Sequence, residues 1–225
     1  MTTPALAAAA AERSQHVRQR ADRPSQRRCA EQTGARALVR ASLSDVQVRE
    51  SAAGGGTLEF TGHASVYERA YEMWDMFGPY TEIVTEGAGT DSLARADLDV
   101  PLVLGHDQLR RMARTTTGTL ILSEDATGLS VRAPALDPAD YDVAYIAPKL
   151  RSGLIDEMSF AFRIESGQWS PDYTEYRINR YDIHRGDVAI VGYGANPYTG
   201  ASVRQPAAAP TNSRARALLE IAIAR

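Results

Sequence analysis

The chain has 225 residues, of which 44% are hydrophobic, 24% charged and 7% aromatic. That is enough for one sizeable domain with tails, and it is the composition of a folded globular protein rather than a disordered or fibrous one. No stretch nears the roughly 18 consecutive apolar residues of a membrane span, and the alanine run at residues 7–11 lacks the basic lead of a secretory signal, so a cytosolic protein is expected. A single cysteine, Cys29, excludes an internal disulfide and a zinc–cysteine knuckle.

The net charge of −3 is unevenly spread. Residues 1–40 carry eight arginines against Glu12, Asp22 and Glu31, a net +5 that leaves −8 on the rest. This basic arm has no aromatics to stack bases and no groove-reading motif, which argues against nucleic acid as a partner. With little apolar periodicity it cannot form a core, so residues 1–56 are expected to be an arm that ends at Gly54-Gly55-Gly56.

From Thr57 the pattern alternates: Leu58, Phe60, Ala64 and Val66 on one side, and Glu59, Thr61, His63 and Ser65 on the other, which predicts a half-buried strand with His63 on its polar face. Residues 100–104 form an apolar run that predicts a buried strand ending in Gly105-His106-Asp107. Residues 119–122 and 129–133 flank a Glu124-Asp125-Ala126-Thr127-Gly128 turn and predict a hairpin. Asp137-Pro138 is the expected helix start and Gly153 its C-terminal cap, with Pro148 expected to kink or divide the helix. Residues 158–164 alternate again, with Met158, Phe160, Phe162 and Ile164 opposite a small-residue face of Ser159, Ala161 and Arg163 that could floor a substrate cleft. Residues 173–178 and 187–191 predict two further strands, and residues 215–224 a terminal helix. Several short strands with one or two helices predict a mixed α/β (α+β) fold, a closed or nearly closed sheet with helices outside.

Of four histidines, His16 falls in the arm, His63 on a polar strand face and His184 beside a turn; only His106 is placed by core packing beside a cavity. His63, His106, Asp107, His184 and Asp187 could ligate zinc, but none shows the spacing of a zinc signature, and neither Gly54-Gly55-Gly56 nor Gly192-Tyr193-Gly194 is a phosphate loop. No metal and no cofactor is expected.

One combination, in order, is more specific: Leu104-Gly105-His106-Asp107, Gly118-Thr119-Leu120 with Thr127-Gly128-Leu129, then Gly153 to Phe162 with its Met158-Ser159-Phe160 core, then Asp187-Val188-Ala189-Ile190-Val191. Across roughly residues 58–204 it resembles the prohead (capsid maturation) proteases of tailed bacteriophages. The resemblance implies a serine peptidase related in fold to the herpesvirus assembly proteases, a β-barrel core surrounded by helices.

Position by position, the resemblance makes His106 the base, Ser159 the nucleophile and Asp187 the third catalytic member. A serine hydroxyl is barely nucleophilic unless an imidazole takes its proton and a third group holds that imidazole. The family commonly has Glu where Asp187 stands and Ser where Ala189 stands, and the herpesvirus relatives use a second His, so His184 is the rival for the third place. The implied work is cleavage of scaffold, or of the scaffolding arm of the major capsid protein, and of the enzyme's own ends, inside the procapsid in the host bacterial cytoplasm. The resemblance is compatible with a homodimer. The expected organisation is an arm at 1–56, a protease domain at 57–204 and a tail with a short helix at 205–225. The alternative is a non-catalytic capsid assembly protein that keeps the protease fold.

Overall fold

The computed structural model describes residues 56–75 and 78–192, with scattered positions among residues 4–50. The expected terminal helix at 215–224, and Cys29 and His16, lie outside the described residues. Two very short strands, β1 (Glu31–Gln32) and β2 (Ala35–Arg36), pair with each other. The body is built from two sheets.

The first sheet is antiparallel, ordered β3-β4-β10-β9: β3 (Gln47–Glu50), β4 (Leu58–Val66), β10 (Gly128–Leu136) and β9 (Ile121–Glu124). The β9–β10 hairpin forms as expected, its turn held by Asp125 Oδ1 accepting from the Thr127 and Gly128 N–H groups. Gln47–Glu50, inside the expected arm, pair with β4, and Val48 packs on the core. β4 departs from expectation: it is buried along nearly its whole length, on both faces. His63 is therefore not on a solvated face. It is 9% exposed and its Nε2 lies 2.7 Å from Asp125 Oδ2, which tethers the β9–β10 turn.

The second sheet is organised by β12 (Glu175–Val191), with β11 (Glu157–Trp169) antiparallel along one edge. Along the opposite edge, β6 (Gly78–Val84) runs parallel to its first half and β7 (Pro101–Leu104) to its last. β5 (Tyr71–Asp75) pairs with β6, and β8 (Asp107–Arg114) with β7. The two strands expected at 173–178 and 187–191 are thus one long strand.

The fold is mostly β, and the expected closed barrel is not what the described residues form: the sheets are two and open. β11 packs against β4 without pairing to it. Side-chain burial, not a continuous ladder, joins the sheets, with Phe60, Leu129 and Val131 from the first in one core with Leu102, Met158, Val188 and Ile190 from the second. Each such buried aliphatic or aromatic side chain contributes roughly 1.5–3 kcal/mol.

Helix α1 (Thr90–Leu93) is a single turn, whereas α2 (Tyr141–Arg151) buries Val143, Ile146, Ala147 and Leu150 on the core. Its N-cap is Asp140 rather than Asp137: Asp140 accepts from the Asp142 and Val143 N–H groups, while Asp137 makes a local turn by accepting from Ala139 N–H. Pro148 does not divide the helix. The helix ends at a left-handed Gly153 (φ 68°), where the Gly153 and Leu154 N–H groups bond back to the Leu150 and Lys149 carbonyls, a Schellman closure.

Candidate active site

The route of His106 into the site starts with four buried residues. β7 is buried throughout, and Leu104 pairs with Asp107, so Gly105-His106 is the whole of a two-residue hairpin loop. Both residues have positive φ, 61° and 60°, the requirement of a type I′ turn. Glycine adopts this freely; a residue with a Cβ does so at a cost of roughly 1–2 kcal/mol. The loop is fixed to β12 by Gly105 N–H donating to the Ile190 carbonyl at 2.9 Å, and Arg110 on β8 is held to Asp142 of α2 at 2.6 Å.

Strand register places the other two residues. Ser159 pairs with Ala189, Ala161 with Asp187, and Val103 with Ala189. Paired residues share a face and alternate residues return to it, so Ser159, Ala161, Asp187, Ala189 and Val103 lie on one face of the sheet. The opposite face carries Met158, Phe160, Val188, Ile190 and Leu102 into the core. Ser159 and Asp187 are diagonal neighbours, about 7–8 Å apart at Cα for this register. That gap is one an imidazole can bridge, and the two alanines between keep its floor low.

A large bulge positions Asp187. Between the pairs Arg163–Asp182 and Ala161–Asp187, two steps on β11 oppose five on β12. Such an insertion bends a strand and re-aims its side chains. Arg185 in the bulge has φ 60° and its N–H bonds to the Asp99 carbonyl. Gly186 must be glycine, because a Cβ there would lie 1.8 Å from the Ala161 carbonyl oxygen.

On this frame His106 Nδ1 and Asp187 Oδ1 meet at 2.6 Å. The Asp187 side chain is 3% exposed and the His106 side chain 39%. An ionised carboxylate can only accept, so Nδ1 carries the hydrogen and Nε2 is left free to accept one. Ser159 is 8% exposed, and among the described residues no hydrogen bond joins it to His106. Catalytic contacts commonly close only around a substrate. His184 is elsewhere: its Nδ1 accepts from the Asp99 N–H at 3.2 Å. Arg114 grips the Asp99 carboxylate at 2.6 Å through both oxygens and holds that carboxyl below its ordinary value.

One neighbour of this site has no signal in the sequence. Gln108 Nε2 donates to the second oxygen of Asp187, Oδ2, at 2.6 Å. A glutamine two residues beyond a histidine is unremarkable in a linear pattern, and only the β8 backbone path reveals it. Among the described residues, no group of three or more His, Cys, Asp or Glu side chains is disposed to hold a metal ion. Nor is any helix there long and apolar enough to cross a membrane.

Comparison with curated proteins and with solved structures gives no significant match. A family model does match, over residues 44–214, a span that includes both sheets and every residue of the site. The chain belongs to the Caudovirus prohead serine protease family, and is a serine protease of capsid maturation.

Proposed function

We propose that the protease activity of this chain is carried by Ser159 as nucleophile, His106 as general base and then acid, and Asp187 as the group that orients His106. The observation that carries the reading is the 2.6 Å contact between His106 Nδ1 and a nearly fully buried Asp187, on the sheet face that Ser159 shares. His106 Nε2 takes the Ser159 proton as Oγ attacks the scissile carbonyl carbon, and Asp187 stabilises the imidazolium that results without itself being protonated. His106 then gives that proton to the leaving amine, an acyl ester remains on Ser159, and a water activated by the same imidazole hydrolyses it.

The substrates that fit this setting are extended segments of scaffold or of the coat protein's scaffolding arm, met inside the procapsid in the host cytoplasm, and the enzyme's own ends. The sequence before β3 and the tail at 205–225 are polar or Pro- and Ala-rich, of the kind a protease cleft binds. Confinement with substrate raises effective concentration, so modest affinity suffices. The direct test is covalent labelling of the full-length chain by a fluorophosphonate, which phosphonylates an activated serine. Label on the peptide containing Ser159, absent in Ser159→Ala and strongly reduced in His106→Ala, supports the reading; an unlabelled wild-type chain contradicts it.

A further inference from the structure

We infer that Gln108 is a positioning residue of this protease, fixing the Asp187 carboxylate so that one oxygen always faces His106. The inference rests on the assignment of Asp187, His106 and Ser159 above.

Near its start β8 leaves the ladder: Val103 pairs with Arg111, but the next residue of β7, Leu104, pairs with Asp107. Residues 108–110 therefore have no partners on β7, and the backbone there is free to turn the Gln108 side chain back over β12. Gln108 Nε2 reaches Asp187 Oδ2 at 2.6 Å while His106 Nδ1 meets Oδ1 at the same distance. Each carboxylate oxygen thus accepts from a different donor. Rotation of a carboxylate about its terminal bond is soft, with broad two-fold preferences, so a single partner fixes the plane of the group poorly. Two donors at opposite oxygens fix it.

Gln108 is held in turn by Arg111, whose Nη2 donates to Gln108 Oε1 at 3.2 Å and whose Nε donates to the Gln108 carbonyl at 2.7 Å. Only one orientation of the amide satisfies both neighbours, since arginine can only donate and the ionised carboxylate can only accept. Arg111 thereby selects the orientation that presents Nε2 to Asp187. Gln108 is solvent-exposed on its outer side, so replacing it leaves no cavity in the core. It acts on the reaction through Asp187 rather than on the reacting atoms.

The experiment is fluorophosphonate labelling of full-length chains, with the inactivation rate constant (kinact) and the half-saturating concentration (KI) measured separately. Gln108→Leu removes the donor, and Gln108→Glu keeps the size but, in neutral buffer, turns the donor into an acceptor facing a carboxylate. Both should lower kinact roughly tenfold or more, the effect of losing one hydrogen bond to a charged group, with KI unchanged and, in Gln108→Leu, the melting temperature unchanged as well. Gln108→Leu added to Asp187→Asn should cost little beyond Asp187→Asn alone, because residues that act through one group are not additive. Wild-type kinact in both Gln108 variants, or a full multiplicative loss in the Asp187→Asn background, would overturn the inference. Label that persists in Ser159→Ala would overturn the site assignment itself and the role of Gln108 with it.

Discussion

His106 and Asp187 are 81 residues apart in the chain, yet Nδ1 of one meets Oδ1 of the other at 2.6 Å, with the carboxylate side chain 3% exposed. His184, three residues before Asp187, is turned to the Asp99 backbone instead. The two candidates for the third catalytic position therefore make opposite predictions. Asp187→Asn should keep nucleophile and base in place but permit the wrong imidazole tautomer, a loss of up to roughly ten-thousand-fold in kcat. His184→Ala should leave kcat within a few-fold and lower the melting temperature modestly. Peptidase assays of the two variants side by side decide between them, and the opposite ranking would move the role to His184.

The bulge before Asp187 has no slack at Gly186. A Cβ would fall 1.8 Å from the Ala161 carbonyl oxygen, a backbone atom that no rotamer change can move aside. Gly186→Ala should push β12 away from β11 at the step that sets Asp187 opposite Ala161. The expected outcome is a lower melting temperature, from strain of about 1–3 kcal/mol, together with loss of active-serine labelling. Retention of both would show that the bulge does not set the Asp187 position.

Acid should destabilise the body through two carboxylates outside the proposed catalytic trio, Asp125 and Asp99. Burial raises the Asp125 carboxyl, but the hydrogen bonds from His63 and from the Gly128 and Thr127 N–H groups outweigh it and the net direction is down; Asp99 is held down by Arg114. A carboxyl with a depressed folded value stabilises the native state fully above its ordinary value of 3.8 and loses that contribution as pH falls through the folded value. Thermal unfolding followed from pH 7 to pH 2 should therefore show the loss setting in below about pH 4. Asp125→Asn and Asp99→Asn should each flatten it.

Where the folded body begins is testable at β3. Gln47–Glu50 pair with β4, and Val48 packs on the core. A chain starting at residue 57 would leave the long, buried strand β4 as an unpaired edge, prone to aggregate. Residues 44–192 should unfold at a higher temperature and stay more soluble than residues 57–192. Equal behaviour of the two would mean that β3 contributes nothing to the body.

Much of this site was legible because its information is local. The apolar run before Gly105-His106 and the alternation through Met158, Ser159 and Phe160 are nearest-neighbour patterns, and they place His106 at a strand end and Ser159 on the small-residue face as read from the sequence. Long-range arrangements left no such mark. The residues that join two expected strands into β12 find their partners elsewhere in the chain: Arg180, Tyr181 and Asp182 pair with β11, and Arg185 N–H bonds to the Asp99 carbonyl, 86 residues away. The burial of His63 comes with that of β4 as a whole, and its partner Asp125 is 62 residues away. Alternation identifies two faces of β4 but cannot tell that both are covered. Strand number points to a closed or nearly closed sheet and the family resemblance to a barrel, whereas openness is set by which edges find partners, and β11 packs on β4 without pairing to it.

The proposed role of Ser159 is to supply the one hydroxyl that does the cutting. Its most direct test is a mass spectrum of the full-length protein co-expressed with its coat protein, wild type beside Ser159→Ala. Coat or scaffold fragments and shortened enzyme ends are expected in the wild type, and only full-length masses in the variant, since alanine is accommodated on a strand without disturbing the fold. Cleavage at the same positions in Ser159→Ala would contradict it.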